Sequence, residues 1–478
     1  MRITQGIISN SMLHSINNNS NKLNKIYQQI YSGKQIQMAS EDPILASRAL
    51  RYTTNIAQTE QYKKNANYGL GWMNTTDKAF SNLDELMVQR IGGTLLVQGS
   101  SDTLSLSERK KIVTEMGSLF DQMKNEMNVT YSGRYVFSGF KTDEPPFLVE
   151  DDPNIYRINQ EFTYEDMEEG IGFQKDGVGG PSTYTDINVL RLPYDDLASP
   201  SITIKDSTGA SVNVAYISNK NSDPNAYKPD ANRVNFIEET GELVLGDDVV
   251  GKLKNGELTV TYEKEGLKEG ELNPVVYFDC SVIDSVGGPI SKDVNGNDLT
   301  YTMDNNEIKY EVGVSVNLRV NSMAKDVLTP SMYAKMKSFK DTFDDLYVSE
   351  EEAVIAYWKD KGFSGDDLDS KVKAQLEEER GNVKHVGYQM FNRLETLTDG
   401  YASTISVEHT SLGTRTNRMD LIYNRLEEDY ISYTELYTNA IGTDYAHAGM
   451  KFSSANTIYQ ASLQIGAQVM NISLVNYM

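Results

Sequence analysis

Four histidines, one cysteine and several runs of carboxylates are the residues of this 478-residue chain with types suited to chemistry. The histidines are His14, His385, His409 and His447. None opens an HExxH motif, in which two imidazoles one helical turn apart hold zinc beside a glutamate base. His409 falls on an apolar helical stripe, where a packed histidine is expected rather than a ligand. Gly177-Val-Gly-Gly180 has glycines for a phosphate cradle but no Gly-Lys-Ser/Thr after them. Asp293-Val-Asn-Gly-Asn-Asp298 has calcium-type oxygens. Its glycine falls at the fourth position, however, and no glutamate closes a twelve-residue loop, so it reads as a turn. Methionines Met116, Met123 and Met127 recur at helical spacing and read as core filler. Tyr156, Tyr164 and Tyr194 bring aromatic surface to the centre without a converging acid–base set. Asn128-Val-Thr130 and Asn471-Ile-Ser473 match glycosylation sequons, a pattern that short sequences meet by chance. These residues point to no enzyme, no cofactor and no metal.

The formal net charge is -23 and the isoelectric point is near 4.7. Phosphate binding needs a basic surface, so nucleic acid is excluded as a partner. The acidity is concentrated in the centre, as in Glu165-Asp166-Met167-Glu168-Glu169, Glu350-Glu351-Glu352 and Glu377-Glu378-Glu379. Such runs read as solvated faces. Cys280 is alone, so no intrachain disulfide can form. The start, MRITQGIISNSMLHSINNN, has no continuous apolar core and no cleavage site, which argues against a cleaved signal. No stretch reads as a membrane span.

The two ends are the elements around which the rest is organised. Residues 452–478 carry no charge at all. Ile458, Ile465, Val469 and Ile472 share one helical face, with Tyr459, Leu463, Met470, Leu474 and Tyr477 in a second stripe beside it. The remaining face is Gln460, Gln464, Gln468 and Asn471. A solvated helix would carry Lys, Glu or Arg there. Residues 1–40 hold no Asp or Glu, and their only charges are Arg2, Lys22, Lys25 and Lys34. Ile8, Met12, Ile16, Leu23, Ile26 and Ile30 step by threes, fours and sevens, with Asn19 in the gap. Two amphipathic, charge-poor ends are natural partners. Composition leaves open whether they pair within one chain or bury themselves only between subunits.

Between the ends the plan is nested. Ser32-Gly33 interrupts the first helix, and Asp42-Pro43 restarts one as N-cap and first helical residue. No proline follows until beyond residue 98, although Gly69, Gly71 and Gly92-Gly93 argue against one unbroken helix. Ser105-Leu-Ser-Glu108 is a capping box. From 141 to 309, β-type runs (INVLRL, SITIKD, VNVAYI, ELVLG, ELTVTY, VVYFDC) alternate with turn residues, the mark of a β-rich insertion. NEIKYEVGVSVNLRVN reads as a closing hairpin. Thr329-Pro330 caps another helix and Ser349-Glu-Glu-Glu352 reads as a further capping box. Residues 349–381 read as an acidic helical insertion, after which helix resumes near 383 and a long amphipathic segment runs from about 401 to 441.

Several strings carry a resemblance: YQQIYSGKQIQMASEDPILASRAL, QYKKNANYGLGWMNTTDKAFSNLDELM, YSGRYVFSGFKTDEPPF, IKYEVGVSVNLRVN, SLGTRTNRMDLIYNRL and YQASLQIGAQVMNISLVNYM. They resemble the flagellin family, and within it the members that form the hook–filament junction. The matching motif residues are Ser32, Gly33, Glu41, Asp42 and Pro43, then Gly413, Arg415, Asn417 and Arg418. The likeness covers roughly the first 140 and last 170 residues and leaves the centre poorly matched. Flagellins carry an aspartate pair and small residues where this chain has Glu41-Asp42-Pro43, and they end in paired leucines rather than Asn-Tyr-Met. The insertion at 349–381 and the large β-rich centre depart from the junction pattern.

The resemblance implies an α+β multidomain fold. Residues 1–40 and 445–478 would be axial terminal helices, pairing as an antiparallel coiled coil and ordering on assembly. Residues 41–140 and 310–444 would form a long-helix body with short β-hairpins, and 141–309 an outer β-rich domain. It also implies a structural, non-enzymatic part of the bacterial flagellum, joining hook to filament as a ring of subunits. Its partners would be hook-associated protein 1, flagellin, copies of itself, and an export chaperone on the C-terminal helix. Its location would be extracellular, reached by the flagellar type III route. The expected assembly interface is Ile8, Met12, Ile16, Leu23, Ile26 and Ile30 with Ile458, Tyr459, Leu463, Ile465, Val469, Met470, Ile472 and Leu474. Alternatives are a filament subunit of the flagellin type, and an adhesin-like binding module on the β-rich centre.

Overall fold

The computed structural model describes residues 5–197, 202–283, 299–303 and 306–475, with side chains from 6 to 468. The side chains of Val469, Met470, Ile472 and Leu474 therefore lie outside the described residues, as does the turn expected at Asp293–Asp298. The chain divides into two compact units. One comprises Met1–Asn67, Glu311–Asn317 and Asp420–Met478, and the other Tyr68–Tyr310 and Leu318–Met419. Among the described residues, no helix is long and apolar enough to cross a membrane.

Helix α1 spans Gln5–Ser32 and contains no acid in its first turn. Gly33 ends it at φ +69°, the left-handed conformation that glycine adopts without a Cβ penalty. Helix α2, Pro43–Asp84, opens on Asp42, whose carboxylate accepts from the amides of Ile44 and Leu45 at 3.1 and 3.0 Å. The expected interruption at Gly69 and Gly71 does not occur. These glycines mark close approach instead: a Cβ on Gly71 would lie 2.1 Å from the Tyr131 hydroxyl, and one on Gly69 2.8 Å from the Met419 methyl. Helical structure continues as a π-helix over Glu85–Leu96, which absorbs Gly92-Gly93, and as α3 over Val97–Gly99. The Thr94 hydroxyl reaches back five residues to the Gln89 carbonyl at 3.0 Å, in step with that wider pitch. Ser105 and Glu108 form the expected capping box at the head of α4, Leu106–Met127, whose Met116, Met123 and Met127 are buried.

A two-stranded turn, β1 (Thr130–Tyr131) and β2 (Arg134–Tyr135), leads into the β-rich centre. There β3 is Asp152–Phe162, β4 Glu168–Lys175, β5 Ser182–Arg191, β6 Thr203–Asp206, β7 Asn213–Ile217, β8 Arg233–Ile237 and β9 Glu242–Leu245. Helix α5 (Asp247–Lys254), β10 (Leu258–Leu267), α6 (Pro274–Tyr277), β11 (Asp279–Ile283) and β12 (Thr300–Tyr301) complete it. Among the described residues the strands form two five-stranded sheets, β12-β11-β3-β10-β6 and β4-β5-β9-β8-β7. The longest pairing is β3 with β10, with Val260 opposite Gln160 and Tyr262 opposite Ile158. The expected strand VVYFDC is strand only at its C-terminal end. Asn273 caps the Val275 amide and Pro274 starts a helical turn, so only its last two residues enter β11.

A hairpin of β13 (Lys309–Gly313) and β14 (Val316–Arg319) follows, then the short α7, Ala324–Val327. Thr329 caps α8, Pro330–Asp345, through the Met332 amide at 3.1 Å. Helix α9 is Glu351–Asp360. The expected break near 381–383 is absent, because α10 runs unbroken from Gly365 to Ile441. Neither Gly381 nor Gly400 has a neighbour within 4 Å of an added Cβ, so neither is forced by packing. Helix α11 is Tyr445–Val475.

The expected capping box at Ser349 is also absent. The Ser349 hydroxyl instead accepts from Lys175 Nζ at 2.9 Å and donates to Glu379 at 3.2 Å, inside the second unit. Glu168 and Glu379, read as members of solvated acidic runs, are both withdrawn from water. Glu379 is 1% exposed, and Glu168 accepts from the buried Arg191, which also donates to Glu242.

Candidate assembly surface

The first unit brings the two chain ends together. Helices α1 and α11 run antiparallel, joined at one end by backbone bonds. The Gln35 amide donates to the Ile441 carbonyl at 2.8 Å and the Thr443 amide to the Gly33 carbonyl at 2.9 Å. Both turns are capped alike. Asp42 caps α2, and Asp444 caps α11 through the amides of Ala446 and His447 at 2.9 and 3.0 Å. Lys25 pairs with Glu41 at 3.3 Å across the first turn. The Gln37 amide, with Lys25 adding to it, holds the Glu41 carboxyl below its ordinary value. Ser32 accepts from the Gln37 side chain. The motif residues Ser32, Gly33, Glu41, Asp42 and Pro43 thus build one turn.

From this turn the seam between α1 and α11 follows heptad spacing. On α1 it is Met12, Ile16, Asn19, Leu23, Ile26 and Ile30, all half-buried. On α11 it is Ala448, Phe452, Ala455, Tyr459, Ser462 and Gly466, of which Ala448 and Gly466 are buried and the rest half-buried. The Asn19 amide donates to the Ser462 hydroxyl at 2.6 Å, so the one polar residue on the α1 stripe is met by a polar residue opposite. Of the expected interface residues, this seam gathers Met12, Ile16, Leu23, Ile26, Ile30 and Tyr459. Ile8, Ile458, Leu463 and Ile465 do not join it. Their exposures are 44%, 52%, 44% and 52%. Ala448, Ala455, Ser462 and Gly466 do not stand out among large apolar residues; their signal is small residues at steps of seven, seven and four. Phe452, at the head of the charge-free stretch, completes the row.

A second apolar surface is left over. Ile7, Ile8, Leu13, Tyr27 and Tyr31 of α1, with Met450, Ile458, Leu463 and Ile465 of α11, are all more than 40% exposed. The helices that carry them have almost no charge. Exposed apolar rows on this scale mark surfaces that associate. Elsewhere in this unit Lys63 of α2 pairs with Glu427 of α10 at 2.8 Å and lies over the rings of Tyr423 and Tyr430.

The second set of motif residues lies on α10. Arg415 is the working member: Nη1 donates to the Asn321 carbonyl at 2.7 Å, and Nη2 to the Ser322 hydroxyl and to Glu408 at 3.0 and 2.7 Å. It thereby holds the return of the chain from β14. Gly413 has open space around it, and Asn417 and Arg418 are exposed. His409 is half-buried and packed, stacked on Phe80 at 5.3 Å with Nε2 3.1 Å from Asp77. Among the described residues no group of His, Cys, Asp and Glu could hold a metal.

The profile of the bacterial flagellin N-terminal helical region matches residues 3–142, and that of the C-terminal helical region matches residues 396–478. Both ends of the chain thus match the helical regions of the flagellin family. Flagellar hook-associated protein 3 of Salmonella typhimurium is 28% identical over 148 residues, 31% of this chain and 46% of that protein. A flagellin of Salmonella montevideo is 23% identical over 379 residues, 73% of this chain and 69% of that one. The chain thus spans about half the length of the hook-associated relatives it matches first. The flagellar junction protein of Legionella pneumophila aligns with a TM-score of 0.30 at 11% identity, covering 84% of this chain and 100% of that one. Members of this family are structural proteins of the flagellum, not enzymes. The helical ends of the chain are the parts that match the family, and the β-rich centre lies between them in sequence.

Proposed function

We propose that this protein is a structural component of the bacterial flagellum that joins the hook to the filament as a ring of subunits. The observation that carries the reading is the leftover apolar surface on α1 and α11, on helices stripped of charge. Burying it between neighbouring copies would be favourable by about 25 cal/mol for each Å² removed from water. The terminal helices, residues 1–40 and 445–478, would be the axial parts, with the long-helix body of 41–140 and 310–444 around them. The β-rich 141–309 would be the outer domain, and 349–381 an acidic helical insertion in the body. Val469, Met470, Ile472 and Leu474 would continue the same contact. The partners would be hook-associated protein 1 on one side and flagellin on the other. An export chaperone would cover the C-terminal helix before secretion through the flagellar type III route to the cell exterior.

The test is deletion of residues 452–478. The centre should stay folded while incorporation into flagella and motility are lost; normal motility would overturn the proposal. The match to a flagellin over 73% of the chain favours a second reading, a filament subunit. Copy number separates the two: few copies per flagellum for a junction, thousands for a filament.

A further inference from the structure

Within the second unit a cavity of about 270 Å³ opens beside α8, α10 and β4. That is just under the roughly 300 Å³ at which small-molecule sites begin. Its walls include apolar Phe339, Met390 and Leu394, the cations Arg191, Lys335 and Arg393, and the carboxylates Glu168 and Glu169. The three cations are not equivalent. Arg191 is spent, because it donates to both Glu168 and Glu242. Lys335 is only 4% exposed and makes no hydrogen bond or ion pair among the described residues. Arg393 gives Nη2 to Asp186 at 3.0 Å, while its buried Nη1 has no partner. A buried ammonium and the buried Nη1 of a half-buried guanidinium, both with donors to spare, thus line one small cavity.

A buried ammonium without a partner is costly, and it either gives up its proton or gains a counter-ion. Burial lowers the pKa of Lys335, and Glu168 and Asp166 offset this only in part, so a carboxylate seated beside it would restore the charge. We propose that the cavity binds a small monoanionic amphipath, a carboxylic acid with a short apolar body. The carboxylate accepts from Lys335 Nζ and Arg393 Nη1, and the body lies against Phe339, Met390 and Leu394. The apolar walls select against inorganic phosphate, which would leave them wet. The cations select against a neutral alcohol of the same length, which would leave Lys335 unpaired.

The experiment is calorimetric titration of the full chain with sodium octanoate, 1-octanol and inorganic phosphate. Octanoate should bind, with the alcohol and phosphate each at least about tenfold weaker. Lys335→Met should weaken octanoate by about tenfold or more, and Arg393→Gln by a smaller factor. Thr342→Phe, a half-buried lining position on α8, should block binding by filling the cavity while keeping both cations. It decides the matter if Lys335→Met fails to fold. No octanoate binding, equal binding of 1-octanol, or octanoate binding unchanged by Thr342→Phe would each overturn the proposal. In those cases Lys335 is a countercharge to the Glu168–Arg191–Glu242 group and nothing more.

Discussion

Ile16 of the first helix lies against Gly466 of the last: a Cβ on the glycine would stand 3.1 Å from the isoleucine Cδ1. The seam of the first unit is therefore closed at that point by the absence of a side chain. Gly466→Ala asks the isoleucine to give by a few tenths of an ångström and gains about 1 kcal/mol in helix propensity, so it should be near neutral. Gly466→Leu has nowhere to go and should open the seam at a cost of about 1–3 kcal/mol. Limited proteolysis of the free subunit checks this. Cleavage of α1 and α11 should speed up for the leucine variant and not for the alanine one. Equal cleavage of all three would mean that the helices do not pair before assembly.

The seam and the leftover surface make different demands on substitution. Ile458→Asp and Ile465→Asp place a charge on positions that are each 52% exposed. Folding stability should move by no more than about 0.5 kcal/mol, as for ordinary surface changes. Assembly should fail, because the charge would be buried without a partner between copies. Tyr459→Asp, in the seam, should lose both stability and assembly. Thermal melting of the free subunit, set beside motility of the complemented strain, separates the two classes. Wild-type motility with either isoleucine variant would show that this face stays in water.

Local signals were the legible ones. Asp42-Pro43, Ser105 with Glu108 and Thr329-Pro330 each cap the helix they announce, because a cap is decided within four residues. Ser349-Glu-Glu-Glu352 has the same letters and fails, because Lys175 and Glu379, distant in sequence, compete for the hydroxyl. The acidic runs misled for the same reason. Nothing beside Glu168 or Glu379 announces the Arg191 or Lys175 that holds it. At the chain ends the eye followed isoleucines, and half of them proved to face outward. On α11, the contacts with Asn19 and Ile16 come from Ser462 and Gly466, residues too small to stand out in a hydrophobic pattern. The α1 half of the seam was legible, since there the large residues are the ones turned inward.

The Lys175–Glu379 pair should behave as a buried ion pair. Nζ lies 3.4 Å from the carboxylate, the two side chains are 6% and 1% exposed, and Ser349 and Gln375 bond the same carboxylate. Glu379→Ala strands the ammonium and should cost about 3–5 kcal/mol. Lys175→Met combined with Glu379→Leu should recover most of that loss, since removing both charges also removes their desolvation. Urea unfolding of the single and double variants checks the sign. A double variant no better than Glu379→Ala would show that the geometry of the hydrogen bonds matters more than the charge.

Cys280 should be chemically silent until the β-rich centre unfolds. It sits in β11, opposite Ile158 on one side and Tyr301 on the other, and is 4% exposed. Burial pushes its thiol up to about 12, and Lys141 pulls it back only in part. The thiolate is the nucleophile, so at pH 8 iodoacetamide should label the native chain far more slowly than the urea-unfolded one. The linkage has a definite sign. Well below the unfolded value near 9.0 the thiol is protonated in both states and its contribution is constant. As pH rises through that value toward 12, the unfolded chain releases the proton and the folded one retains it, so stability falls. Cys280→Ala should make the fall in urea stability less steep between about pH 8 and 9, below the range near 10 in which the many buried tyrosines dominate. An unchanged slope in that interval, or rapid native labelling, would mean that β11 opens far more readily than its neighbours allow.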